Sequence, residues 1–190
     1  PFPEDQPTVE EQGPLEEMYA KVCEELARTQ TLDDQSDKAC CLRFLRARDM
    51  DQEAALDMWR TWRAWRAEWK VDSLEEGDVK NEVRSGKAYW HGTDRHGHPV
   101  LIVLPRNHHP SQRDIRETML FAVYLMEEGI RRARANGMSK FVVVYDREDM
   151  TRANVDPKLG DLAKSLLSML QDNYAERLHR VYVRHTGWLY

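Results

Sequence analysis

The chain is short of the features that would make its function easy to read. It has three cysteines in 190 residues, two of them the neighbours Cys40 and Cys41, and no CxxC or Cys/His pair at metal-binding spacing. That excludes a disulfide scaffold and a structural zinc site, and points to reduced thiols. No long hydrophobic run exists: the longest, Met119 to Met126, falls far short of the ~20 residues that span a bilayer. Positive charge is not in excess either. The net charge is -5, and the first 35 residues carry ten acidic side chains against two basic ones, so the remainder sums to +3. Neither part is basic enough for nucleic acid to be the partner. Phosphate-cradling GxxxxGK[ST] and nucleophile-elbow GxSxG motifs are both missing.

What is present is ordinary globular material, 41% hydrophobic and 32% charged, enough for one domain or one domain with a helical lead. PFPEDQPTVEEQGP holds four of the eight prolines and little to bury, so residues 1–14 read as a disordered lead. Helical patterns follow over 15–80. One runs from Leu15 to Leu26. A second, capped by Asp34 or Ser36, sets Ala39, Leu42 and Leu45 inward and spreads Arg43, Arg46 and Arg48 around its other sides. The third carries Met58, Trp62, Trp65 and Trp69 at i, i+4, i+7 and i+11, a core face rather than a nucleic-acid stacking stripe.

From residue 81 the pattern changes. KAYW and PVLIVLP are β-prone and joined by the turn-rich HGTDRHGH, which predicts a hairpin. Ser111 with Asp114 opens a long helix through Ile115, Met119, Val123, Met126, Ile130 and Ala133, ending near Gly137. FVVVY reads as a strand buried on both faces. Asp156-Pro157 opens a helix inward-facing at Leu159, Leu162, Leu166, Met169 and Leu170, and VYV is a last strand with Val181 and Val183 inward. The expected fold is α/β: an N-terminal helical bundle followed by a mixed β-sheet with packed helices over 81–190.

Catalysis finds little footing. VVVYDREDMT ends a buried strand in Asp146, Glu148 and Asp149, at the carboxyl edge where α/β proteins place their sites. It approaches the D-x-D-x-T pattern of haloacid-dehalogenase-type phosphatases, with Asp146 as nucleophile. The second carboxylate is Glu148, however, and no Thr follows two residues later. A phosphatase using Asp146 is therefore a remote alternative. His91, Asp94, His96 and His98 read as solvated turn residues rather than a metal cluster, and His108-His109 before Pro110 likewise.

Four stretches in order carry a resemblance. CLRFLRARDMDQEAALDMWRTWRAWR, GTDRHGHPVLIV, VVVYDREDMTRANVD and LQDNYAERLHRVYV together resemble the signatures of the CRAL-TRIO family, from about Asp37 to the end. That family includes carriers of retinaldehyde, tocopherol and phosphatidylinositol. The resemblance implies a non-enzymatic fold that binds, and moves between membranes, a hydrophobic small molecule or phospholipid in a cavity floored by the sheet. It also implies no cofactor or metal, a monomer, and a cytoplasmic protein making transient contact with a membrane surface. By the resemblance, Leu101, Val103, Phe141, Val143 and Tyr145 form the cavity face, and Arg48 ends the R-A-R stretch of the ligand-binding set. Arg48 is followed by Asp49, where phosphoinositide-binding members carry a base. Leu101, Phe141 and Val143 are apolar where phosphatidylcholine-binding members carry hydroxyls, so no headgroup is implied. The family continues past VYV with a helix, a strand and a gate helix, so the resemblance also implies a fragment with an exposed apolar face. The competing function is an interaction or adaptor module of a larger signalling protein, without an exchangeable ligand.

Overall fold

A computed structural model describes residues 3–29, 35–155 and 159–186. The chain divides into two compact units, residues 1–69 and 70–190.

The first unit is helical: α1 (Val9–Thr29), α2 (Lys38–Arg46) and α3 (Gln52–Trp69), preceded by a 3-10 turn at Pro3–Asp5. Residues 3–14 are therefore not a disordered lead, and the reason is electrostatic. Asp5 is buried and accepts from buried Arg43 at 3.3 Å. The Arg46 guanidinium donates to both Glu11 oxygens at 2.9 Å and to the carbonyls of Glu4 and Gln6. Arg46 holds the Glu11 carboxyl at about 2, well below its usual range. The start of α1 was legible in Thr8-x-x-Glu11, a capping box: Thr8 N–H donates to Glu11 at 2.8 Å and Glu11 N–H to Thr8 Oγ1 at 3.3 Å.

Asp37, not Asp34 or Ser36, caps α2, accepting from Cys40 N–H at 2.7 Å. Asp34 lies outside the described residues. Ser36 instead accepts from the Trp59 indole at 2.8 Å, which lets the largest fully buried side chain among the described residues sit inside with its N–H satisfied. The core of α3 correspondingly shifts toward Ala55, Leu56, Met58, Trp59 and Trp62, while Trp65 and Trp69 are only half-buried. Cys40 and Cys41 are buried free thiols, and Cys23 is an exposed one.

The second unit begins at Lys70 rather than near residue 81, because 71–85 packs on the long helix that follows. Short 3-10 turns and α4 (Lys80–Ser85) lead into β1 (Ala88–Thr93) and β2 (Pro99–Val103). Next come α5 (Ile115–Ala135), β3 (Phe141–Asp146), α6 (Leu159–Asn173) and β4 (Leu178–Arg184). Asn81 donates through its backbone and side chain to Glu117, and Thr118 Oγ1 donates to Glu82, tying α4 to α5. Asp114 alone caps α5, accepting from Glu117 N–H at 2.8 Å. The expected Asp156-Pro157 helix start lies outside the described residues.

The sheet order is β1-β2-β3-β4, antiparallel between β1 and β2 and parallel across the other two pairs. This is the expected mixed sheet with helical crossovers. No helix among the described residues is long and apolar enough to cross a membrane.

Candidate functional site

Register places the apolar residues of all four strands in common rows. Trp90 pairs with Leu101, Leu101 with Val143, and Val143 with Val181. One row further along, Ala88 pairs with Val103, Val103 with Tyr145, and Tyr145 with Val183. Register partners point to the same side of a pleated sheet. These two rows, with Phe141 two residues before Val143, therefore form one face without a charged side chain. All five sheet residues expected for the cavity lie on it.

Helix α5 covers one end of this face. A Cβ on Gly129 would stand 2.3 Å from the Trp90 ring and 3.3 Å from Phe141, so only glycine lets the helix descend this far. Trp90 and Phe141 meet edge to face at 5.4 Å beneath it. Burial follows a gradient from that seal. Phe141 and Leu101 are 2% and 3% exposed. Val103, Val143 and Tyr145 are half-buried, and burial raises the pKa of the Tyr145 phenol. Val181 and Val183 are 47% and 53% exposed. β4 is thus not the buried strand its sequence suggests. No second strand pairs with its outer edge among the described residues, and both of its sides are open.

Arg48 is exposed in the first unit, donating to the carbonyl of its neighbour Ala47 at 3.0 Å. It follows α2 in a turn where Asp49 and Met50 both take left-handed backbone conformations.

The carboxylates at the end of β3 are engaged. Asp146 is buried, and its oxygens accept from His185 Nδ1 at 2.6 Å, Glu148 N–H at 3.1 Å and Arg184 at 3.3 Å. The His185 bond first, then that of the Glu148 N–H, holds the Asp146 carboxyl below its ordinary range. Asp146, Glu148 and His185 could converge on one cation. Arg184 on Asp146 and Arg106 at 3.6 Å from Glu148 already oppose their charge.

The hairpin link is more ordered than solvated turn residues would be. Asp94 accepts from the N–H groups of His96 and His98 and from the His98 ring at 3.0 Å. Burial works against its charge, yet those three donors together bring the Asp94 carboxyl down to about 2. His98 is buried and stacks on His179 at 4.1 Å, a partnership between distant segments that no local spacing announces.

Residues 83–190 match the CRAL/TRIO domain, and residues 8–61 match the CRAL/TRIO, N-terminal domain. Patellin-6 of Arabidopsis thaliana is 26% identical over 186 residues, spanning 87% of this chain and 44% of that protein. The phosphatidylinositol/phosphatidylcholine transfer protein SFH13 of the same plant is 26% identical, over 77% of this chain and 26% of its own length. The alpha-tocopherol transfer protein-like protein of Mus musculus is 28% identical, over 77% and 43%. The chain therefore spans less than half the length of these relatives. The crystal structure of Sfh5 shares the fold, with a TM-score of 0.69 over 97% of this chain and 76% of that one, at 13% identity.

Proposed function

The chain belongs to the CRAL/TRIO family, and from that premise we propose that it is a non-enzymatic carrier that binds one lipid-like molecule and passes it between membranes. The observation that carries this reading is the face running from sealed Phe141 and Leu101, through half-buried Val103, Val143 and Tyr145, to exposed Val181 and Val183. A cavity for an acyl chain or an isoprenoid tail needs a continuous apolar wall more than it needs reactive groups. Each methylene so buried contributes roughly 0.8 kcal/mol, so a chain of a dozen carbons supplies a large driving force without any specific polar contact.

The same reasoning favours a tail-directed site. The positions expected to meet a headgroup, Leu101, Phe141 and Val143, offer no hydroxyl. The named ligands of the relatives, phosphatidylinositol, phosphatidylcholine and tocopherol, differ in their polar ends. The protein would work from the cytosol and touch membranes only to load and unload.

The test is photolabelling with a phosphatidylcholine carrying a photoreactive group at the end of one acyl chain. Label should fall on the peptides containing Val143 and Tyr145 or Val181 and Val183, and Val143→Asp should remove most of it. Label confined to residues 9–69, or unchanged in Val143→Asp, would sink the assignment. An interaction module without exchangeable ligand forecasts no specific labelling at all.

A further inference from the structure

The carboxyl end of α5 carries chemistry that the apolar face does not use. The helix closes on Gly137, whose left-handed φ of 72° is the conformation that a helix-ending glycine supplies. Gly137 N–H donates to the Arg134 carbonyl at 3.1 Å and Met138 N–H to the Ala133 carbonyl at 2.8 Å, so the last carbonyls of α5 are satisfied by the two residues after its cap. The same cap clasps the turn between β1 and β2. Asn136 Nδ2 donates to the Gly97 carbonyl at 3.2 Å, and Met138 Cε lies 3.2 Å from where a Cβ on Gly97 would stand.

Asn136 is the one asparagine of this chain that precedes a glycine; Asn81, Asn107, Asn154 and Asn173 precede Glu82, His108, Val155 and Tyr174. The distinction is chemical. A side chain on the following residue hinders its backbone nitrogen from folding back onto the asparagine amide, and glycine has none. Asn154 and Asn173 are also buried, whereas Asn136 and Gly137 are both exposed, with nothing within 4 Å of a Cβ added to Gly137.

The reaction open to this pair needs only water. The Gly137 backbone nitrogen, its proton taken by hydroxide, attacks Cγ of Asn136; the new N–Cγ bond closes a cyclic imide, and Nδ2 leaves as ammonia after gaining a proton from water. Water then opens the ring at either carbonyl, giving aspartate or an isoaspartate in which the main chain runs through Cγ. The net change is water consumed and ammonia released. In the closed cap Asn136 has a ψ of 5° and Gly137 N–H is bonded to Arg134, so attack proceeds from the frayed last turn, an opening at the low-energy end of local unfolding.

We propose that Asn136-Gly137 is a spontaneous deamidation and isomerisation site whose conversion releases the β1–β2 turn from the end of α5. Either product replaces the Nδ2 donor by a carboxylate, which only accepts and so faces the Gly97 carbonyl without a bond, at the helix end where negative charge is least favoured. Isoaspartate also lengthens the main chain by a carbon between residues 136 and 137, so the bonds of Gly137 and Met138 back to α5 lose their spacing. The test is to incubate the folded protein for days at mildly alkaline pH and map the products by peptide mass spectrometry, with hydrogen exchange of the aged protein beside the fresh one. Conversion is expected first at Asn136, with isoaspartate among the products and faster exchange at the amides of Gly97, Gly137 and Met138. Gly137→Ala should slow it at least severalfold even though the left-handed cap is strained by a Cβ, since a purely structural loosening would speed it. Asn136→Ser should abolish conversion at this position. Earlier conversion at another asparagine would overturn the proposal. So would an intact Asn136 in the folded protein after the urea-unfolded chain has converted there, or a converted protein with unchanged exchange at Gly97 and Met138.

Discussion

The descent of α5 onto Trp90 makes a prediction whose sign is opposite to what helix propensity alone would give. Replacing glycine by alanine inside a helix ordinarily stabilises by about 1 kcal/mol, because less backbone freedom is lost on folding. Gly13 in α1 meets nothing within 4 Å of an added Cβ, so Gly13→Ala should show that ordinary gain. At Gly129 the added methyl would stand 2.3 and 2.5 Å from two carbons of the Trp90 indole, and the ring packs edge to face on Phe141, which itself lies 3.3 Å from the methyl. Overpacking of that kind costs about 1–3 kcal/mol. Set against the propensity gain, it leaves Gly129→Ala destabilised by about 1 kcal/mol, and by about 2 if the indole cannot shift. Urea unfolding of the two variants and the wild type, with a common slope, measures the difference. Trp90→Leu removes the obstructing ring, so Gly129→Ala should become less costly in that background, a coupling that a double-mutant cycle reads directly. If Gly129→Ala stabilises as much as Gly13→Ala, the close packing of α5 on the sheet is wrong, and with it the sealed end of the apolar face.

Removing Asp5 should be severe for so short a lead: Asp5→Ala leaves Arg43 buried without its carboxylate, a loss of about 3–5 kcal/mol by urea unfolding, whereas a disordered lead would give no change. Glu11 titrates near 2 when folded, so its bond to Arg46 contributes stability that is full above the unfolded value of 4.5 and is lost as pH falls toward 2. Glu11→Gln should therefore flatten the stability profile between pH 5 and about 2, and an unchanged profile would refute the assignment. Asp146→Asn should leave phosphate release from a chromogenic phosphomonoester at background, as in the wild type, because a carboxylate held by His185 and Arg184 serves structure. Any turnover abolished by the substitution would revive a phosphatase.

The helical bundle, the mixed sheet and the shared face of Leu101, Val103, Phe141, Val143 and Tyr145 were legible because they rest on periodicity and on four ordered motifs. Alternation along a strand determines which residues share a face once register is set, and a continuous run such as FVVVY signals a central strand. Degree of burial was not legible. Whether Leu101 is sealed and Val143 half-open depends on where Gly129 lets a helix settle, and whether Trp59 or Trp65 is innermost depends on Ser36 accepting an indole N–H. Long-range ion pairs were equally hidden. The proline-rich start looks too polar to order, but Arg43 and Arg46 reach across from α2 to hold it. Arg43 itself sits in the core because it has Asp5, which a hydrophobic pattern cannot encode. The unit boundary moved for the same kind of reason, through Asn81, Glu82 and their partners on α5.

The graded apolar face is proposed to receive a lipid-like molecule. The most direct measurement is to incubate the purified protein with mixed vesicles of phosphatidylcholine, phosphatidylinositol, sterol and tocopherol, re-isolate it, and quantify extracted lipid by mass spectrometry. About one lipid per chain is expected, and little in Val143→Asp, which places a charge in the middle of the face. A wild-type protein that returns without lipid, or a Val143→Asp variant as fully loaded as the wild type, would contradict it.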